Sequence, residues 1–424
     1  LVWQEFIFMC SHYPGHDEGF YDTVKREAIY QIRRLAGHPA LIAWCGNNEN
    51  EMWYWDQMMP DHGLFHNLLP RLLAIEDGTR YYQPSSPFSP DGLAPNDNIA
   101  GDQHPWSVGF HDTDFRKYRQ MICRFSDESG ILGPNALPTV LECLPEGQRR
   151  VGSFAWMQHD NGVDCWPPAG APDRMLTQWT GKDSHALGIP EAVYWMGLIQ
   201  GEGLTALIDN FRRRMFSSAA AVFWMYNDCW PCTRSWTIVD YHRRRTPGFH
   251  PVRRAFATLR LVLTEADGEI QVWGVNDGPE PVVGEMRWGV FNLAGGFPFD
   301  KRQKVQLAAN TATVLAVLPP GVWTDPLGQF PFASLEVAGR LVTRNRFYAP
   351  LFKELRWPKA EVNVQVVKGQ AVFTAPVFVW GVCLDLDGEQ PLADNFFDLW
   401  PGIPYSIPWS GSASPKVLFT GNLR

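Results

Sequence analysis

Apolar residues change their spacing several times in the first fifty positions. LVWQEFIF opens as a run of the length of one buried strand. YDTVKREAIYQIRRLAG then sets Val24, Ala28, Ile32 and Leu35 along one helical face, with Asp22 near the start and Gly37 and Pro39 as stops. ALIAW follows at once as a second short buried strand. Strand, helix and strand with tight joints predict a parallel βαβ unit. Further on, residues 64–76 (LFHNLLPRLLAIE) read as a helix, and MICRFSDESG as a strand ending at Glu128. A long helix is expected over 191–214, followed by SSAAAVFWMYND as another buried strand, its alanines suited to a crowded interior.

After about residue 262 the period shortens to two. GEIQVWGVND, GEMRWGVFNL, TATVLAVLPP, AEVNVQVVKG and QAVFTAPVFVWGVCLDL alternate along their length and are separated by Gly, Pro, Asn and Asp. The remaining length suits two small immunoglobulin-like β-sandwiches. The expected domains are therefore an α/β part over 1–262, a sandwich over 263–350 and a second sandwich over 351–424.

Composition narrows the partners. The formal net charge is −8 and no basic block stands out, which argues against nucleic acid. No apolar run reaches the ~20 residues of a membrane span. Nineteen tryptophans fit either a large aromatic core or the stacking of sugar rings on indole. The eight cysteines are scattered, so they do not read as a disulfide framework, and CWPC at Cys229 and Cys232 lacks a thioredoxin-like context. HExxH and zinc-spaced Cys/His clusters are absent, and DLDG at 385–388 reads as a turn, so no metal or other cofactor is expected. The first residue is Leu1, LVWQEFIFMC is too short and too acidic for a signal sequence, and a processed, truncated or partly recorded polypeptide is expected.

Two glutamates follow expected strands: Glu49 comes just after ALIAW, and Glu128 just after MICRF. In a parallel α/β barrel the carboxyl ends of strands carry the reactive groups. Two carboxylates converging there can divide glycoside hydrolysis, one donating a proton and the other attacking the anomeric carbon. Asn47 and Asn48 could hold sugar hydroxyls through a donor and an acceptor without added charge. A solvated loop glutamate after a polar turn would give the same local pattern.

AWCGNNENE resembles the acid/base segment of the β-mannosidase branch of glycoside hydrolase family 2. LVWQEFIFMCSHYP is similar to that family's third barrel strand, RFSDESG to its nucleophile strand, and FWMYNDCWPCTRSWTIVDY to its eighth strand and loop. TRYYQPSSPFS, GDQHPWSVGF and DNFFDLWPG resemble further family segments in the same order. The resemblance implies a partial (β/α)8 TIM barrel, from about the third strand onward, followed by the two sandwiches. It implies that Glu49 is the general acid/base and Glu128 the nucleophile of a retaining double displacement on terminal β-D-mannosyl residues. Asn48, His104, Trp106, Trp224 and Trp55 would bind substrate, with Trp53 a weaker candidate. Glu49 is expected to start protonated, its pKa raised by Glu128 and partial burial.

Asp127 immediately precedes Glu128 where the family more often has serine, and it is the alternative nucleophile. Along a strand their side chains would point to opposite faces. The expected ligand is a β-mannoside or related glycan. An N-terminal fragment or subunit completing the barrel is an expected partner, because a barrel lacking two strands cannot close. Two other readings stay open at this level. One is a non-catalytic carbohydrate-binding or structural subunit. The other is a family relative acting on a β-glucosaminide, β-galactoside or β-glucuronide.

Overall fold

The computed structural model describes residues 1–52, 55–162 and 170–423, which divide into two compact units. The first comprises Leu1–Pro105, Ile122–Glu128 and Ser218–Ala220. Its strands β1 (Val2–Glu5), β2 (Leu41–Cys45) and β3 (Tyr81–Gln83) form a parallel sheet in the order β1-β2-β3. Trp3 and Tyr81 both pair with Ala43, from either side. Beyond the strand ends, single parallel bridges join Met9 to Asn48, Asn48 to Ser86, and Gln103 to Ser126. Segments far apart in sequence thereby meet at the carboxyl edge of the sheet.

Helix α1 (Glu18–Leu35) crosses over between β1 and β2, as a parallel connection requires. It starts four residues before Asp22, because the Asp17 carboxylate caps it by accepting the Phe20 amide at 2.7 Å. A cap of this kind contributes about 1 kcal/mol. Val24, Ala28 and Ile32 face a core that includes Trp44, Leu64 and Phe65. Each fully buried large side chain there contributes about 1.5–3 kcal/mol. The helix expected over 64–76 is two elements, a single π-helical turn (Leu64–Leu68) running into α2 (Leu69–Glu76). Pro70 sits in the first turn of α2.

Two expected strands are not strands. In MICRFSDESG only Ser126 forms a ladder bridge; the Gln103 side-chain oxygen takes the amides of Arg124 and Phe125 at 2.6 and 3.2 Å instead. SSAAAVFWMYND runs irregularly, and Val222, Trp224 and Tyr226 lie open to solvent, so its alternation is not that of a buried strand.

The second unit comprises Trp106–Met121, Ser129–Ser217 and Ala221–Arg424. It opens with a short antiparallel pair, β4 (Gly133–Pro134) and β5 (Arg234–Ser235), and helices α3 (Leu137–Cys143), α4 (Phe154–Gln158) and α5 (Ala171–Thr180). The long α6 (Ile189–Arg213) matches the expected 191–214 helix and is buried on most sides; α7 (Phe249–Ala255) packs beside it.

Seven antiparallel strands follow. β6 (Leu259–Ala266), β7 (Glu269–Asn276) and β10 (Thr311–Val317) make one sheet; β8 (Val282–Asn292), β9 (Phe299–Leu307), β11 (Gln329–Val337) and β12 (Arg340–Arg346) make the other. Leu261 and Val272 of the first sheet and Met286, Val290 and Leu335 of the second share one core, which makes this a β-sandwich. The chain closes with β13 (Asn363–Val367), β14 (Gln370–Thr374) and β17 (Tyr405–Pro408) in one sheet and β15 (Val379–Val382) paired with β16 (Phe397–Leu399). Phe373, Val379, Phe397 and Ile407 form their common core. Among the described residues no helix is long and apolar enough to cross a membrane.

Candidate active site

The loop after β2 is held by backbone contacts that dictate its composition. A β-carbon on Gly46 would lie 2.2 Å from the Pro84 carbonyl oxygen, so only glycine lets the two loops meet. Asn47, fully buried, donates to the Pro84 carbonyl at 2.9 Å, and its side-chain oxygen accepts from Ser85 Oγ at 2.7 Å. Asn47 is thus a structural tie between loops. Glu49 donates its amide to the Ser86 carbonyl at 2.7 Å and has φ of 62°. A left-handed glutamate costs of order 1 kcal/mol or more and persists only where its surroundings fix it. The strained residue is the expected proton donor.

His104 organises the carboxylates around it. Its Nδ1 lies 2.8 Å from Glu49 Oε1 and 3.7 Å from Glu128 Oε2. One donor atom from each of Glu49, His104 and Glu128 lies within 4.8 Å of the other two. On the opposite side of the ring, Nε2 is 2.9 Å from Ser86 Oγ and 3.5 Å from Asp127 Oδ1. Asp127 and Glu128 therefore approach opposite nitrogens of one imidazole, a divergence like that expected of successive side chains. The His104 side chain is 1% exposed, against 17% for Glu49 and 15% for Glu128. The two glutamates have solvent access and the histidine does not.

Burial opposes charge on His104, yet the Asp127, Glu49 and Glu128 carboxylates hold its pKa well above the ordinary imidazole value. A proton on the ring offsets part of the negative charge gathered here. Behind it, Ser86 Oγ lies 2.7 Å from both Asp102 Oδ2 and Asp127 Oδ2. One hydroxyl proton cannot serve two carboxylates. Burial, and then the neighbouring Asp127 charge, push Asp102 up to about 8, so Asp102 holds a proton at neutral pH and can donate to Ser86. Glu5, at the end of β1, is likewise pushed up to about 7 by burial. Gln83 Nε2 and the Phe88 amide also donate to Asp102 Oδ1, at 2.6 and 2.8 Å.

Two groups of atoms have the spacing of metal ligands, Glu49–His104–Glu128 and Asp102–His104–Asp127. Both depend on the same imidazole, whose raised pKa keeps a proton where a metal would need a lone pair.

The other expected residues fall in different places. Asn48 donates to Cys10 Sγ at 3.8 Å, while its buried Oδ1 has no hydrogen-bond partner among the described residues. Cys10 Sγ in turn lies 3.5 Å from Glu49 Oε2. Trp55 is 42% exposed. Trp53 lies outside the described residues. Trp106 and Trp224 belong to the second unit. There Trp106 meets Phe110 and Trp236 edge-on, and the Trp224 carbonyl would stand 2.3 Å from a β-carbon on Gly130. Cys229 and Cys232 are both free thiols. Sequence reasoning assigned no role to Ser86, Asp102 or Glu5. Ser86 and Asp102 sit inside segments that carry the family resemblance, but a serine pair before proline and an aspartate after glycine read as turn chemistry.

Residues 268–354 match the family described as Mannosidase Ig/CBM-like domain. Beta-mannosidase B of Thermothelomyces thermophilus is 26% identical over 99% of this chain and 55% of its own length. Its counterpart in Aspergillus niger is 25% identical over 99% and 54%. The chain spans about half the length of the curated relatives it matches. Among solved structures, β-D-mannosidase from Dictyoglomus thermophilum superposes with a TM-score of 0.89 at 28% identity, covering 98% of this chain and 51% of that one. An exo-chitosanase from Amycolatopsis orientalis shares the fold at a TM-score of 0.69 and 14% identity, over 96% and 54% of the two chains. In its fold, in the match over 268–354 and in relatives aligned along nearly the whole chain, the protein is similar to the β-mannosidase branch of glycoside hydrolase family 2.

Proposed function

We propose that this chain carries the catalytic carboxylates of a retaining, β-mannosidase-like glycoside hydrolase. The observation that carries the reading is the convergence of Glu49 and Glu128 on one side of His104, with donor atoms within 4.8 Å of each other. Retaining enzymes hold their carboxyls ~5–5.5 Å apart, whereas inverting enzymes leave ~6.5–9.5 Å for a water. Single oxygens of the two carboxyls within 4.8 Å of each other are compatible with the closer, retaining arrangement.

In the first step Glu128 attacks the anomeric carbon, the glycosidic C–O bond breaks, and Glu49 gives its proton to the departing oxygen. In the second, Glu49 takes a proton from water, which attacks the anomeric carbon and releases Glu128 from its ester. His104, charged and in contact with both carboxylates, positions them and compensates the charge that moves between them. Asp127 is held behind the imidazole at Ser86, which favours Glu128 as nucleophile. The unpartnered Oδ1 of Asn48 is an acceptor suited to a sugar hydroxyl. Trp55, Trp106 and Trp224 keep a proposed substrate-binding role on the family resemblance alone.

The same reading treats 1–262 as the greater part of a TIM-barrel catalytic domain, and 263–350 and 351–424 as immunoglobulin-like sandwiches. Groups that complete the barrel would come from sequence or a subunit outside this chain. Initial rates of the natural protein on p-nitrophenyl β-D-mannoside, β-D-glucosaminide, β-D-galactoside and β-D-glucuronide test the proposal. The β-mannoside should be cleaved with the highest kcat/KM. Preference for another glycoside would reassign the sugar, and cleavage of none would favour a non-catalytic role.

A further inference from the structure

The second unit contains a cavity of about 110 Å³, several times the ~30 Å³ share of one liquid water. One wall is a single stripe of α6 at helical spacing, running from Leu198 through Glu202 and Asp209 to Arg213. β6, β12 and the segment around Asp398 supply the rest. Six arginines line it against three carboxylates.

Those carboxylates are already committed. Arg346 takes Glu202 at 2.5 Å and Asp398 at 2.7 Å, and Arg260 grips Asp209 with two bonds of 2.8 Å. Arg254 is paired with Asp394, outside the lining. Arg119, Arg213 and Arg344 remain, and none of them takes part in an ion pair among the described residues. Arg119 donates to the Tyr348 carbonyl at 2.8 Å and lies over the Phe347 and Tyr348 rings. Arg344 donates to the Asp398 carbonyl and lies over Tyr405. Arg213 is 8% exposed; its Nη2 donates to the Arg119 carbonyl and Asn210 Oδ1, at 2.8 and 3.0 Å, and its Nε has no hydrogen-bond partner among the described residues.

We propose that this cavity binds a small oxyanion of the phosphate or sulfate class through Arg213, with Arg119 and Arg344 completing the positive wall. Buried cations are ordinarily paired, because removing a charge from water without a partner is costly. Guanidinium forks match the oxygens of such anions in geometry as well as in charge. The same burial holds Arg213 down to about 10, helped by Arg214, and lowers Arg119 and Arg344 from the ordinary arginine value. An anion would relieve that penalty. The inference rests on the second unit alone and is independent of the glycosidase reading.

Calorimetric titration of inorganic phosphate into the full chain, at an ionic strength fixed with chloride, tests it. Saturable one-to-one binding is expected, with a melting temperature that climbs as phosphate increases. Arg213→Gln and Arg344→Gln should each weaken binding at least about tenfold, while Arg213→Lys, which keeps the charge but loses the fork, should fall between. No saturable heat up to millimolar phosphate in the unsubstituted chain would overturn the proposal, whatever the variants do. So would phosphate binding of equal strength in both glutamine variants.

Discussion

His104 touches both members of the proposed catalytic pair through one nitrogen and faces Ser86 and Asp127 through the other. Any change in its charge is therefore felt by Glu49 and Glu128 together. His104→Asn should lower kcat/KM by at least about tenfold and displace the pH–rate profile along the pH axis. Loss of packing alone would lower the curve without moving it, so the pH profile distinguishes a positioning role from a structural one. At this scale the sequence was informative where a family segment surrounds the residue. Glu49 and Glu128 were singled out on that basis, and the structure brings them together. His104 was expected to face substrate, yet its side chain is 1% exposed and is occupied by Glu49 and Ser86. That difference was not legible, because the role depends on three loops that meet only in the fold.

The elements differ in legibility for the same physical reason. α1, β2 and α6 satisfy their own periodicity, and each was expected close to where it lies. The alternating segments after residue 262 likewise contain β7, β8, β10, β13, β14 and β15. β9 carries FDKRQKVQL with only Val305 and Leu307 buried, so its pairing with β8 is decided by the partner strand rather than by its own pattern. The 121–128 segment shows the converse. Its apolar residues suggest a strand, but the Gln103 side chain takes the amides that a ladder would use.

The loops beyond β2 and β3 also bury Asp102, and this has a consequence for stability. Its pKa rises from 3.8 in the unfolded reference to about 8 in the fold, so between these values the folded state holds a proton that the unfolded chain has released. Stability from this group is intact below about pH 4 and is lost as pH rises through 8. His250, held down to about 3 by burial, acts in the opposite sense, so the difference between two proteins is the useful quantity. Asp102→Asn keeps the shape without the titration. Its melting temperature relative to the parent chain should rise steadily from about pH 4 to 8. A difference that stays constant over that range would mean Asp102 is not held protonated.

At the scale of the whole molecule, a parallel sheet whose carboxyl edge gathers acidic groups accompanies a helical layer and two antiparallel assemblies. The order of these parts matches relatives of which the chain spans about half. The proposed chemistry is therefore to be tested in the natural protein. The most direct measurement is azide rescue of Glu128→Ala in that natural protein, with the product followed by NMR. Removing the nucleophile leaves a space in which azide can attack the anomeric carbon from the face that Glu128 would use. A retaining mechanism with Glu128 as nucleophile predicts that turnover of p-nitrophenyl β-D-mannoside collapses, and that azide restores release of p-nitrophenol with α-mannosyl azide as product. A folded Glu128→Ala variant that azide fails to rescue, or that keeps its activity without azide, would contradict the assignment.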